Sequence, residues 1–233
     1  MAITQEITRI QGAKADIKSA IEAKGVSVPS NALIDTYDDY VAAIPSGGGG
    51  NQDLVDLIER DITTLTIPSG TTNIGNNAFN GCSSLTSVTI PSGTTSIGVQ
   101  AFKDCSSLSL ITIPSSVTSI GQYAFRGSAL ATITFETPST LTGISQYMFQ
   151  ECTHLTSITI PSSVTSIGRS AFQGCTALTT FTCEAVNPPT LNNNIFSNTA
   201  IAHIYVPASS VETYKAANIW SGYASLIEAI PSA

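Results

Sequence analysis

Four cysteines keep a fixed station in this sequence. Cys82, Cys105, Cys152 and Cys175 each stand three residues after a phenylalanine, and Ser128 takes the same station after Phe125. Thiols repeated in this way could form a metal site or a ladder of disulfides. The close Cys-x-x-Cys spacing of a metal-binding pair is absent. A small thiol recurring at one station suits a buried slot that every copy must fill, and that is the reading adopted. Cys183, outside the series, is expected in the core. The two histidines, His154 and His203, fall in a turn and in the last strand of a repeat. A catalytic triad needs a nucleophile within reach of a His held by a carboxylate, and a glycosidase needs paired carboxylates. The repeated units carry no such signature, so no catalytic residue, no metal site and no cofactor is assigned, and the chain is read as not an enzyme.

Hydroxyl groups form a second regular series. Thr66, Thr89, Thr112, Thr134, Thr159 and Thr182 make a column continued by Tyr205, and two residues earlier stand Thr64, Ser87, Leu110, Thr132, Ser157, Thr180 and His203. Such a face could hold a glycan or order water. The preference of threonine for exposed strand positions and cross-strand pairs accounts for it, and that reading is adopted because the face offers only Tyr205 as an aromatic platform. Positions where similar copies disagree are more informative, because repeat geometry does not dictate them. Ahead of the marker phenylalanines these are Asn76-Asn77, Val99-Gln100, Gln122-Tyr123, Gln146-Tyr147 and Arg169-Ser170. After them they are Asn80, Lys103-Asp104, Arg126, Gln150-Glu151 and Gln173. Tyr123 and Tyr147 are expected to be near neighbours on adjacent coils. With Arg126, Gln122 and Gln146 they form the candidate binding patch, since aromatic and Arg side chains dominate interface energies.

These residues are positioned by an internal repeat. Anchors at Ile67, Ile90, Ile113, Phe135, Ile160, Cys183 and Val206 are separated by steps of 23, 23, 22, 25, 23 and 23 residues. The markers Phe79, Phe102, Phe125, Phe149, Phe172 and Phe196 keep the same period. One residue is missing near Ser128-Ala129, and two are extra around Glu136–Thr140. In each unit, Val88 and Ile90 alternate with Ser87 and Thr89, the pattern of a short strand with one inward face. Pro91 ends it, a Ser-Gly or Ser-Ser turn follows, and Ile97-Gly98 opens a segment placing Ala101 and Phe102 inside. Gly81 and Gly174 support a tight turn. No unit can bury its apolar face alone, so neighbours must stack.

Units reading LTSVTIPSGTTSIGVQAFKDCSS and LTSITIPSSVTSIGRSAFQGCTA resemble the BspA-like leucine-rich repeats of bacterial surface antigens. The resemblance covers residues 53–233 and implies a repeat solenoid of short stacked strands. Val206–Lys215 resembles the capping segment that follows such arrays. Ser209 or Ser210 is expected to cap a short helix there, with Trp220, Tyr223, Leu226 and Ile230 covering the last coil. At the other end Gln52–Asp61 is expected to cap, with Leu54, Val55, Leu57 and Ile58 facing the first coil. The domain plan is therefore an N-terminal helical docking or oligomerisation segment at 1–46, a Gly-rich linker at 47–51, and a solenoid at 52–233 with caps at 52–61 and 207–233.

Ile3, Ile7, Ile10, Ile17 and Ile21 recur at steps of four and three, with Lys14 in the remaining seat. This marks an amphipathic helix ended by Gly25. Asn31–Ile44 is a second candidate helix, with Leu33, Tyr37, Val41 and Ile44 on one face. The pair is either a helical hairpin packed on itself or an oligomerising stem. Isoleucine at both seam positions favours three or four strands over two, which makes a homo-trimer one expected assembly. The words Ile7–Ile10, Ala13–Ile17, Lys24–Val26 and Val28-Pro29 resemble N-terminal modules of virion-associated proteins encoded in bacteriophage and prophage genomes. That resemblance implies attachment to other virion proteins through the N-terminal helices, with the solenoid projecting as a fibre or decoration to bind a host-surface glycan or protein. A bacterial cell-surface BspA-like adhesin is the alternative.

Composition narrows the partners. Charged residues are 11% of the chain, against ~25% in ordinary globular proteins, and the net charge is -7. Phosphates could not be neutralised at useful density, so no nucleic acid is expected, and an anionic membrane surface is disfavoured. No stretch reaches the roughly 18 apolar residues of a membrane span. The N-terminus lacks the basic and apolar regions of a signal peptide, which points to a virion component made in a host cytoplasm.

Overall fold

The computed structural model describes residues 63–67 and 69–232. The expectations for residues 1–62 lie outside the described residues. They comprise the helix with Ile3, Ile7, Ile10, Ile17 and Ile21, the second helix, the glycine linker and the cap at 52–61. The chain divides into two units, Met1–Arg60 and Asp61–Ala233, and the described residues all belong to the second.

That unit is a parallel β-solenoid. Its long strands are β1 (Thr64–Thr66), β3 (Ser87–Thr89), β5 (Leu110–Ile113), β7 (Thr132–Phe135), β9 (Ser157–Ile160), β11 (Thr180–Cys183) and β13 (His203–Val206). The first six are each followed by a short strand: β2 (Asn73–Ile74), β4 (Ser96–Ile97), β6 (Ser119–Ile120), β8 (Gly143–Ile144), β10 (Ser166–Ile167) and β12 (Thr190–Leu191). Long pairs with long and short with short, always in parallel. Leu65 sits against Val88, Ile111 against Ile133, and Ile97 against Ile120. The alternation in sequence is therefore converted directly into an inside and an outside, as in β9, where Ile158 and Ile160 are buried and Ser157 and Thr159 exposed.

A third backbone ladder runs through the turns that follow the short strands. Asn77, Phe79 and Gly81 donate N–H groups to Val99, Ala101 and Lys103 of the next coil. Gln100, Phe102 and Asp104 do the same to Gln122, Ala124 and Arg126, and the pattern continues to Gly174 and Ser197. The long-strand ladder breaks between β3 and β5 and between β7 and β9, and the turn ladder runs past both breaks.

The core is one continuous cluster from Ile67 to Ile227. Its spine is the marker column. Consecutive rings from Phe79 to Phe172 stack 5.2 to 5.6 Å apart, and Phe196 follows at 6.0 Å. Glycine follows four of the six short strands, at Gly75, Gly98, Gly121 and Gly168, and from the second coil on it lets neighbouring backbones approach closely. A Cβ added at Gly98 would lie 2.6 Å from the backbone nitrogen of Asn76, and one at Gly168 would lie 2.5 Å from that of Gln146.

The short-strand column is interrupted once. It consists of β2-β4-β6 and β8-β10-β12, with no pairing between β6 and β8. The break coincides with the two extra residues around Glu136–Thr140, which contain a cis Thr137–Pro138 peptide bond.

Beyond β13 the chain forms a 3-10 turn at Ala208–Ser210, helix α1 (Val211–Ala216), a 3-10 segment at Trp220–Leu226 and strand β14 (Ile227–Ala229). Tyr214 and Trp220 are buried and meet edge to face, 4.9 Å apart. Each tip finds a carbonyl: Tyr214 Oη donates to Ala185 O at 2.7 Å, and Trp220 Nε1 donates to Pro189 O at 2.8 Å. Three details differ from the sequence-based expectation. Ser210 precedes α1, but no side-chain bond caps that helix. Ile230 is exposed, and Ile227 is the buried residue instead. β14 pairs with β13, so an eighth long strand closes the ladder.

Candidate functional site

Each turn of the third ladder holds two residues with left-handed backbone. Two before the marker phenylalanine they are Asn77, Gln100, Tyr123, Tyr147, Ser170 and Asn194, with φ between 53° and 63°. Two after it they are Gly81, Asp104, Gly127, Glu151, Gly174 and Asn198. The fold imposes this geometry, because it is how alternate N–H groups reach the next coil. Asparagine tolerates the left-handed region better than most residues, and glycine adopts it without steric cost. Most other side chains lose about 1–2 kcal/mol there. Tyr123 and Tyr147 are the bulkiest occupants of the first station.

These two tyrosines are half-buried and stacked face to face, with centroids 4.7 Å apart and planes within 1° of parallel. That separation matches the spacing of adjacent strands, so one ring is the other translated by one coil. Gln122 and Gln146, each one residue earlier, are exposed. Arg126 is not free beside them. Its Nε and Nη2 both donate to Glu151 Oε2 on the next coil, at 3.2 and 3.0 Å. Gln150 likewise donates to Gln173 across coils at 2.9 Å. The structure thus brings Tyr123, Tyr147, Gln122 and Gln146 onto two adjacent coils and joins Arg126 to a neighbour's carboxylate.

The break between β6 and β8 opens a shallow groove of about 220 Å³ on the same two coils, reaching Ser166 on coil five. Thr118, Ser119, Thr142, Gly143, Ser145 and Ser166 supply its polar lining. In this column Ser96, Ser119 and Ser166 stand where coil four has Gly143. A Cβ at Gly143 would lie 2.9 Å from Ser166 Oγ. Sequence reading missed this site, although Gly143 in a serine column beside a two-residue insertion is a visible signal.

The remaining sequence candidates lie in the core and on other faces of the coils. All five cysteines are buried and none is in a disulfide. Cys105 Sγ donates to Phe79 O at 3.1 Å, Cys152 to Phe125 O at 3.1 Å, and Cys175 to Phe149 O at 3.0 Å, so each thiol ties one coil to the one before. The neighbouring Cys152 thiol, together with burial, holds the Cys175 thiol far above its ordinary range. Burial pushes the Cys183 thiol up as well. Nucleophilic thiolates are disfavoured in such surroundings. His154 is exposed beside Thr153 Oγ1 at 3.3 Å, while the neighbouring Cys152 is in the core and Glu151 is paired with Arg126. His203 meets Glu228 Oε1 of β14 at 3.3 Å and stacks on Tyr205. The threonine columns lie on the exposed face of the long strands, interrupted by Leu110 at 55% exposure. Among the described residues no cluster of three or more His, Cys, Asp or Glu could hold a metal ion, and no helix is long and apolar enough to cross a membrane.

Comparison with known proteins fits this geometry. No curated protein matches the chain. A leucine-rich repeat protein from Eubacterium ventriosum has a similar solved structure, with 26% identity and a TM-score of 0.54. The match covers 63% of this chain and 40% of that one, so the chain spans about two fifths of that relative. The leucine-rich repeat protein of T. pallidum is 24% identical with a TM-score of 0.50, over 73% of this chain and 87% of that one, and shares the fold. The family model for the BspA type leucine-rich repeat region matches residues 59–142 and 101–221, with six copies. The chain belongs to the BspA-type leucine-rich-repeat family.

Proposed function

We propose that this protein is a non-enzymatic adhesion component of a bacteriophage virion. Residues 1–46 attach it to other virion proteins, and the solenoid projects to bind a host or environmental surface. The observation that carries the binding half is the Tyr123–Tyr147 stack. A solenoid of this family has no need of two adjacent tyrosines at a left-handed station, and aromatic side chains presented at a surface are the usual anchors of recognition. Attachment rests on the resemblance of the N-terminal words to virion-associated modules. The isoleucine series makes a trimeric stem one form of that attachment.

The test is sedimentation of particles induced from the host, with the chain followed by immunoblot. Co-sedimentation with capsid or tail proteins is expected, and its absence from purified particles would reject attachment. Mass measurement of the whole chain and of residues 1–50 addresses the stem, because a monomer in both removes self-association. A bacterial cell-surface BspA-like adhesin is a second reading, favoured by family membership. It predicts that the chain fractionates with the envelope of the cell that makes it.

A further inference from the structure

Two features coincide on coils three and four. One is the cofacial Tyr123–Tyr147 pair, and the other is the hydroxyl-lined groove between β6 and β8. Ser119 precedes Tyr123 by four residues, and Gly143 precedes Tyr147 by four. Four residues of extended chain span at most about 13–14 Å, so stack and groove lie within reach of one short oligosaccharide. Between them stand Gln122 and Gln146, exposed, each carrying an amide donor and acceptor. We infer that these two coils form a binding site for neutral glycans, a deepening that rests on the adhesion reading above. One sugar ring packs its C–H face on the tyrosine pair, the two glutamine amides read its hydroxyls, and the next sugar lies in the groove against Ser119, Ser166 and Thr142.

The chemistry of the lining selects this ligand class. The groove contributes hydroxyls and no charged side chain. On the tyrosine coils Arg126 and Glu151 neutralise each other, and the exposed Arg169, whose carbonyl accepts from Tyr147 N–H, is the one charge beside them on coil five. The chain as a whole carries a net charge of -7, which opposes an acidic glycan. An extended peptide would want apolar side-chain pockets beside the aromatic rings, and the groove offers hydroxyls, with Ile120 and Ile144 lining it but almost wholly buried. The interruption of the serine column matters equally. Ser96, Ser119 and Ser166 show that serine fits this column, and Gly143 is the position among these four with no side chain.

The full chain is tested on an array of neutral oligosaccharides, sialylated oligosaccharides and proline-rich peptides, together with binding to host cells. Retention of neutral glycans is expected. Tyr123→Asn with Tyr147→Asn places in both coils the residue that coils one and six carry at this station, and it should weaken glycan retention at least tenfold. Gly143→Ser restores the serine column and should weaken it several-fold. Any side-chain clash there is with the movable Ser166 Oγ, 2.9 Å from the new Cβ. Melting temperature checks that both variants fold. Undiminished glycan retention by both folded variants overturns the site. Retention of peptides or sialylated glycans in place of neutral ones overturns the ligand class. Cell binding unchanged in the folded tyrosine variant overturns the site and leaves adhesion standing. Glycan retention without cell binding supports the site and rejects adhesion. Binding to nothing rejects both.

Discussion

Tyr123 and Tyr147 stack with 4.7 Å between centroids while both backbones stay left-handed, at φ 59°. The backbone cost is about 1–2 kcal/mol for each, and an aromatic pair returns about 0.5–1.5 kcal/mol. Stability therefore gives no reason for tyrosine here. The Tyr123→Asn, Tyr147→Asn double variant should match the parent to within about 1 kcal/mol, or exceed it, in urea denaturation. A loss of several kcal/mol would make the pair a structural element.

The glycines after the short strands should divide by what they face. Gly98→Ala and Gly168→Ala drive a Cβ into backbone of the neighbouring coil, which cannot step aside as a side chain would. Each should cost at least about 1–3 kcal/mol. Gly75 occupies the same station in the first coil with nothing within 4 Å of an added Cβ, so Gly75→Ala should fall within about 0.5 kcal/mol. The difference between their thermal midpoints is the measurement.

The phenylalanine spine should dominate the core. Phe125 is fully buried between Phe102 and Phe149, at 5.6 Å from each. Phe125→Ala should cost about 3–5 kcal/mol, the usual penalty for emptying such a site. A chemical-denaturation midpoint shift checks it. Arg126→Ala, one residue away, removes an exposed ion pair and should cost no more than about 1 kcal/mol.

Alkaline pH should unfold the solenoid from its thiols and its cap. Cys175, Cys183 and Tyr214 all have folded pKa values raised above their ordinary 9.0, 9.0 and 10.0. Cys175 is raised by the neighbouring Cys152 thiol and by burial, the other two chiefly by burial. A raised acid is protonated in the folded state and ionises first in the unfolded chain. Its contribution is complete below about pH 9 and declines as pH rises above it. The slope is at most about 1.4 kcal/mol per pH unit for each group. Denaturation midpoints should hold level from pH 7 to 8.5, as far as these groups decide, and fall from pH 9 upward. A thiol reagent should titrate all five cysteines only after denaturation.

Period, strand alternation and the inward residues were legible in the sequence alone, because each depends on neighbours in the chain. Ser87-Val88-Thr89-Ile90 alternates, Pro91 cannot continue a ladder, and a recurring Phe-x-x-Cys demands one recurring slot. Relations between residues some 23 apart were legible only as columns. That Tyr123 and Tyr147 would be neighbours followed from the period. That their rings lie parallel followed only from the left-handed backbone, which different residues occupy in each coil and which therefore leaves no single-residue signature. The pairing of Arg126 with Glu151 depends on the opposite stagger of two exposed side chains. Strand β14 carries none of the repeat's words, since Ile227-Glu228-Ala229 needs only to offer backbone to β13 and one apolar side chain to the core. Its arrival brings Glu228 to His203. The groove at Gly143 arises from a mismatch between an insertion and a ladder. Local sequence thus determined the coil, and the stacking of unlike coils decided where its surface departs from repetition.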